Sequence, residues 1–503
     1  MASPRKAGPR AWSIPDFNRP AGENRYHVVV IGAGIGGLAA AALLAARGLK
    51  VLALEAHRRP GGNCASWRRS IGGKTFVFDS GVQDISGLSP RGPLHNFLKQ
   101  LGLENRIAWK RVTHLYWRNG VKVAGAETAA AFVANLSRAF PAEADGIAAF
   151  FAEMETVYRE MYADVERTGG VPAPPRPEDA LRWPERHPHA CRWMRRPLAE
   201  MLDAYLTDAV LKRILSTVSE YVTDDPARLL VEDMAPLYGY YCDGGRYPQG
   251  GSQRLSDLLA LALRGAGGTL RLGTRATKIL TEDGRVAGVE TAGGERFFAP
   301  LVVSNADAVA TLTEMVDPAL LPAGYAGAVR AMHRGPTAFL MNLALDTVVP
   351  LPARIFVAQD GLEFGLGNPS VVDPSLAPEG CSAVAVLCLL HEEAAAPWLA
   401  RGTDYAARKD AFAGRLVRAV EHSVFPDFGR HILYREAATP ATFAAFTSAG
   451  KGAIYGAARG AWRPALKTPV PGLLLVGAGT DTGAGIEAVT VSATRAADLV
   501  RPV

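Results

Sequence analysis

The stretch from Tyr26 to Glu55 restricts the fold more than any other part of this 503-residue chain. A short β-branched run, Tyr26–Ile31, leads directly into Gly32-Ala33-Gly34-Ile35-Gly36-Gly37. An Ala/Leu-rich segment, Leu38–Arg47, has helical character, and Gly48 stops it before a second apolar run, Lys50–Leu54. Glu55 ends that run. Gly-x-Gly-x-x-Gly alone is weak, but strand, glycines, helix, strand and acid in this order specify a dinucleotide-binding βαβ unit. Gly32 permits the tight turn, Gly34 lets backbone N–H groups reach a diphosphate, and Gly37 lets the helix pack closely on the sheet. Ile35 and Gly36 fall within the same cofactor-binding turn, and the N-terminus of the helix after it offers unpaired donors and a positive dipole end to an anion. Glu55 is placed to accept from ribose hydroxyls. An α/β fold with a buried parallel sheet is expected.

Beyond the acid, Arg58-Arg59-Pro60-Gly61-Gly62-Asn63 sets two guanidinium groups beside a second glycine pair. With this string the chain resembles the FAD-binding superfamily of amine oxidases, carotenoid desaturases and related flavoenzymes. The resemblance implies FAD as cofactor, with Arg59, Gly61 and Gly62 along the flavin diphosphate. It implies that Ala276, in Thr274-Arg275-Ala276-Thr277, meets the adenine through its backbone. It also implies that the closing segment, Gly472 to Gly479 and the helix after it, follows the ribityl chain and flavin ring. Gly477, Gly479 and Ile486 are thereby assigned to the cofactor. The implied architecture is a Rossmann-like FAD-binding domain of the glutathione-reductase type, interleaved with an α+β substrate domain. On this reading 25–95, 241–307 and 466–503 build the FAD-binding domain, and 96–240 with 308–465 build the substrate-binding domain.

Two elements point to different branches of that family. Tyr247-Pro248-Gln249-Gly250-Gly251-Ser252 leans toward the carotenoid isomerases and retinol saturases, whereas Gly477 to Ile486 leans toward the bacterial desaturases. Desaturases commonly carry His-Pro and Pro-Gly where this chain has Asp481-Thr482 and Glu487-Ala488. Asp481 and Glu487 are therefore candidate catalytic proton acceptors; alternatively Asp481 caps the following helix and Glu487 bonds the cofactor. The implied activity is desaturation of a long isoprenoid or polyene, such as a carotenoid, by hydride transfer to flavin. Electrons would pass on to a quinone or oxygen. Cis–trans isomerisation or saturation of a polyene is the alternative; amine oxidation and flavin-less binding of a prenyl group, as in escort proteins, are weaker ones.

Composition bounds what remains. A net charge of +6 is mild for this length and forms no basic stripe, so no nucleic-acid partner is expected. Five scattered cysteines, an odd number, fit a reducing compartment better than a disulfide framework. Residues 1–24 are rich in Pro and Arg without an apolar core segment, and read as a flexible arm rather than a signal peptide. No run of about 18 apolar residues occurs, so no transmembrane helix is expected; Cys381–Leu390, the most apolar stretch, has strand length. The expected location is cytoplasmic, with membrane association rather than secretion. Its basis is the stretch 182–198, where Arg182, Trp183, Arg186, Arg192, Trp193, Arg195 and Arg196 mark a candidate peripheral membrane contact that would admit a lipophilic substrate. A solvated loop and helix start is the plainer reading. His187, His189 and Cys191 lack a fourth ligand, so no metal site is expected. Asp79 falls either near the flavin or in a turn, and Tyr116, Trp117, Tyr238, Tyr240 and Tyr241 line a tunnel or fill a core.

Overall fold

Strand Val28–Ile31 pairs in parallel with Val51–Leu54 on one side and Leu301–Ser304 on the other. Thr269–Arg271 and Leu473–Leu475 extend the two edges, also in parallel, giving five strands drawn from well-separated parts of the chain. Val28–Ile31, Val51–Leu54 and Leu301–Ser304 are buried at every position, which is why these runs are continuously apolar rather than alternating. Helix Ile35–Ala46 lies between helices Gln253–Gly265 and Ile486–Leu499, and only its last residue escapes burial. Its alanines let three helices approach closely, and it needs no polar face. The chain described by this computed structural model comprises residues 24–163, 178–221, 227, 229–359 and 361–500. Residues 1–23 of the expected arm therefore lie outside the described residues.

The stretch between Gly267 and Phe298 divides in two. Thr269–Arg271 joins the parallel sheet, while Ala276–Glu282, Arg285–Thr291 and Arg296–Phe298 form a separate antiparallel sheet. Asp283 and Gly284 turn the first hairpin with φ of 48° and 73°. Two positive φ values in succession are what an Asp-Gly turn supplies cheaply.

A seven-stranded sheet forms the second layer, in the order Ile432–Ala438, Thr337–Leu345, Ser382–Leu390, Leu362–Gly367, Arg354–Gln359, His114–Arg118 and Val121–Ala124. Only the pairing of Arg354–Gln359 with His114–Arg118 is parallel. Helix Tyr405–Ser423 covers one face, where Leu416 and Val420 share a buried core with Phe339 and Met341. Helices Ala129–Ala139, Ala144–Met161, Leu198–Tyr205, Ala209–Leu215 and Val231–Gly239 pack together near the His114–Arg118 strand. Tyr116, Tyr238 and Tyr241 are buried in that helical core.

In the Arg/Trp-rich stretch, short helices Trp183–Arg186 and Pro188–Trp193 form. Trp193 is 1% exposed, donates from Nε1 to Glu153 at 2.8 Å, and carries the Arg192 and Arg196 guanidinium groups over its ring. It is a core residue, so it cannot serve as an interfacial anchor. Arg182, Arg186, Arg192, Arg195 and Arg196 remain exposed around it. Among the described residues, no helix is long and apolar enough to cross a membrane, and no three metal-ligating side chains converge.

Candidate active site

The strands of the parallel sheet end at a cavity of about 810 Å³ that reaches across to the seven-stranded sheet. Cavities at the carboxyl ends of parallel strands are the usual ligand site of such folds. Gly32, Gly34, Ile35 and Gly36 line one side, at the start of helix Ile35–Ala46. Gly34 is the N-cap and no side chain bonds the first turn, so its N–H donors face the cavity available to an anion. Gly61 and Gly62 come alongside: Gly61 donates to the Ala33 carbonyl at 2.8 Å, and a Cβ on Gly62 would lie 3.4 Å from the Gly34 Cα. Gly37 does not line the cavity. A Cβ there would sit 1.9 Å from the Gly32 carbonyl oxygen, so the close contact of helix and turn requires glycine.

Glu55 is buried, accepting from Ala33 N at 2.7 Å and from His57 N at 2.8 Å. Each carboxylate oxygen keeps acceptor capacity, and Glu55 lines the cavity wall. Thr274 N donates to the Glu55 carbonyl at 2.7 Å, which brings Ala276 into the same wall. Helix Pro440–Thr447 closes this end: Phe446 stacks on His57 with ring centroids 4.7 Å apart. Sequence reasoning missed that helix, because nothing local in Thr439-Pro440 says which cavity it covers. Arg59 departs from its expected place, since its side chain donates to the Ser66 carbonyl and it is absent from the wall.

At the far end stand Gly479, Ile486 and Glu487, whereas Gly477 sits just behind the wall. A Cβ on Gly477 would fall 2.3 Å from Asn305 Oδ1, and one on Gly36 2.6 Å from the same atom. Asn305 thus wedges the first and last segments together, a role its position at the end of a strand did not reveal. The closing helix starts at Ile486 with Gly485 as its N-cap, so Asp481 does not cap it. Asp481 is instead an exposed residue of the cavity mouth. Glu487 lies deeper. It accepts from Ser86 Oγ at 2.6 Å and from the Tyr162 hydroxyl at 3.4 Å. Burial pushes its carboxyl up to about 7, against the pull of those two hydrogen bonds, and the Asp243 charge adds to the rise. Burial and the Glu487 charge hold the Tyr162 phenol well above its ordinary range. Asp79 is elsewhere, a buried hub that takes bonds from Ser66, Tyr247 and both the backbone and the hydroxyl of Ser252.

A second chamber of about 470 Å³ lies along the same sheet, with Trp117, Phe356, Phe364 and Phe412 in its walls. Tyr116 and Trp117 border this chamber and Tyr240 borders the main cavity, so the aromatic residues divide between core and lining. Arg354 and Leu387 belong to the walls of both spaces.

The donors at the helix start, the acid at the second strand and the glycine cradle fit a flavin dinucleotide. Two buried polar atoms of residues in the wall, Asn63 Oδ1 and Gln83 Nε2, have no protein partner, as expected where a polar ligand belongs. Fold and site together define a dinucleotide-dependent oxidoreductase. The chain belongs to the family of flavin containing amine oxidoreductases, whose profile matches residues 35–501, and it is an FAD-dependent oxidoreductase. A prolycopene isomerase of Arabidopsis thaliana is 26% identical to it, over 96% of this chain and 84% of that protein. A lycopene-forming phytoene desaturase of Pseudescherichia vulneris is 27% identical, over 94% and 98%. An oxidoreductase structure from Methanosarcina mazei shares the fold with a TM-score of 0.63 at 19% identity, covering 93% of this chain and 99% of that one.

Proposed function

We propose that the protein dehydrogenates a long apolar polyene of the carotenoid class. The observation that carries this reading is the pairing of one buried carboxyl, Glu487, with a large cavity that shares wall residues with an aromatic-lined chamber. FAD, when bound, supplies the two-electron acceptor for such a reaction. Gly34, Ile35, Gly36, Gly61 and Gly62 would hold its diphosphate, Glu55 its ribose, Ala276 its adenine, and Gly479 and Ile486 the end nearest the substrate. Gly37 and Gly477 would act by close packing behind that surface, and Arg59 by fixing the loop to Ser66. The apolar walls exclude water from the reacting carbon. Glu487, ionised above a pH of about 7, accepts the proton released from the substrate. Asp481, at the mouth, is less suited to that role than to exchange with solvent.

The division into a cofactor domain of 25–95, 241–307 and 466–503 and a substrate domain of 96–240 and 308–465 belongs to the same reading. So do a quinone or oxygen as terminal acceptor and a peripheral contact through the exposed arginines of 182–198. Support for the substrate class comes from the relatives, which are named for prolycopene and phytoene. The isomerase relative and the Tyr247 to Ser252 element favour a second reading, cis–trans isomerisation of a polyene. Anaerobic mixing of oxidised enzyme with phytoene separates the two. Bleaching of the flavin with appearance of a longer polyene supports dehydrogenation; activity only after prior reduction, with unchanged product mass, supports isomerisation.

A further inference from the structure

We infer that Tyr162 is the positioning residue of the cavity acid: its hydroxyl sets the Glu487 carboxylate for proton transfer, and Tyr158 and Asp243 hold that phenol in place from behind. This rests on the dehydrogenation reading and deepens it. Tyr162 directly follows helix Ala144–Met161, is buried, and lines the cavity. Its hydroxyl donates to Glu487 Oε1 at 3.4 Å while Ser86 Oγ donates to Oε2 at 2.6 Å, so each carboxylate oxygen has its own donor. A phenol can donate to the ionised acid and accept from the protonated one, so it serves the acid in both states. The backbone of Gly87, at φ 76°, closes the remaining side: a Cβ there would lie 2.9 Å from the Glu487 carboxyl carbon. Two donors and that close approach hold the carboxyl in one orientation.

Behind the phenol the contacts lead away from the cavity. Tyr158 lies one helical turn before Tyr162, and the two rings pack with centroids 4.9 Å apart at 45°. The Tyr158 hydroxyl donates to Asp243 Oδ2 at 3.0 Å, Ser89 Oγ donates to the same oxygen at 3.0 Å, and Arg159 Nη2 reaches Oδ1 at 3.4 Å. A Cβ on Gly239 would press on the Tyr158 hydroxyl at 3.2 Å, so glycine leaves that ring its place. Asp243 sits in a π-helical turn, Tyr240–Gly244, a distortion frequent at functional sites. It does not line the cavity, so a change there leaves the substrate surface intact. Two carboxylates thus bracket a pair of phenols. Burial raises the Glu487 carboxyl most; the Ser86 and Tyr162 hydrogen bonds oppose that rise and the Asp243 charge adds to it. Of the other charged groups at this end, Asp84 is bonded to His114 at 2.6 Å and Arg459 is ion-paired with Asp233 at 2.8 Å beside Glu232. Arg495 stands on the Glu487 helix itself.

The test uses the FAD-loaded full-length chain and reads Glu487 in two ways. One is kcat with phytoene from pH 5 to 9. The other needs no substrate: it is the Tm gap between each protein and the same protein carrying Glu487→Gln, over the same range. Both curves should rise with pH and level off once Glu487 is ionised. Tyr162→Phe keeps the ring and removes a donor to the ionised acid. It should move the levelling-off of both curves upward by about 0.5–1 pH unit, the span of one hydrogen bond to a charged group, and lower the alkaline kcat by about 10-fold. Asp243→Asn keeps an acceptor for Tyr158 and removes a charge, so both curves should move the other way, by about 0.3–0.5 unit at low salt. Curves that stay in place in Tyr162→Phe, or that move the same way in both variants, overturn the inference. So does a wild-type Tm gap that is flat with pH. Tm gaps that shift as expected in a protein that converts no polyene would instead overturn the dehydrogenation reading and leave Tyr162 as the residue that orients the acid.

Discussion

Replacing Glu487 with glutamine removes an ionisable group from the cavity wall while preserving its size and a hydrogen-bonding oxygen. In the folded protein burial pushes this carboxyl up to about 7, whereas its ordinary value is 4.5. At pH values below 4.5 both folded and unfolded chains hold the proton, and the group contributes nothing to pH dependence. Between 4.5 and about 7 the unfolded chain gives up its proton and the folded chain keeps it, so stability falls as pH rises. Above about 7 both states are ionised and the whole cost persists, about 3 kcal/mol at about 1.4 kcal/mol per tenfold change. Glu487→Gln abolishes that cost. The variant should therefore exceed the wild type by up to about 3 kcal/mol at pH 8.5 and by under about 1 kcal/mol at pH 5. Scaled from smaller domains to a chain of this length, the larger gap is about 3–6 °C in Tm. Thermal unfolding followed by intrinsic fluorescence across pH 5–9, at constant ionic strength and saturating FAD, measures it. A gap that stays flat with pH, or is widest in acid, refutes the assignment of a buried high-pKa carboxyl.

Three further outcomes follow from packing. Gly37→Ala drives a Cβ into the Gly32 carbonyl oxygen and should cost about 1–3 kcal/mol together with most of the bound flavin, read from the absorbance ratio of the purified protein. Asp79→Ala strands the Tyr247 hydroxyl and the Ser252 N–H, so urea unfolding should show a loss of about 2–5 kcal/mol. Trp193→Ala empties a core site and should cost about 3–5 kcal/mol without changing liposome binding. Reversing the charges of Arg182, Arg186 and Arg195 should abolish flotation with anionic liposomes and leave stability unchanged; retained flotation would dismiss the membrane contact.

The parts of the site that the sequence made legible are those where local chemistry and location coincide. A glycine turn between a strand and a helix carries its own geometry, so Gly32 to Gly37 and Glu55 could be placed without knowing what lay opposite. Asn305, Phe446 and Tyr162 were opaque for the opposite reason. Each acts on a segment far away in the chain, and no periodicity or spacing encodes that partner. Arg59 shows the limit of position matching: it stands at the family's position in the sequence, yet its side chain finds the Ser66 carbonyl. Trp193 fell on the other side of the same ambiguity. An Arg/Trp string looks alike whether the indole faces lipid or core, and only the Glu153 carboxylate above it decides.

Asp481 and Glu487 enter the sequence as a matched pair of departures, but the backbone between them separates their chemistry. Gly483 and Gly485, lying between them, both adopt positive φ, 85° and 99°; Asp481 is exposed while the Glu487 carboxyl is withdrawn into the cavity wall. Glu487 then occupies the first turn of a helix, whose dipole favours a carboxylate, and still burial outweighs that pull. An acid balanced near neutrality suits a reaction that sheds a proton. Dehydrogenation of a saturated carbon pair sheds one, whereas cis–trans isomerisation has none to lose overall. Glu487→Gln should accordingly lower dehydrogenation by about 10²–10⁴-fold and erase the rise in kcat through pH 7, with the FAD content unaltered. Product analysis by chromatography at pH 6 and pH 8 gives both readouts. A variant that converts substrate at the wild-type rate, with no change in its pH profile, would remove Glu487 from the chemistry and return the weight of evidence to isomerisation.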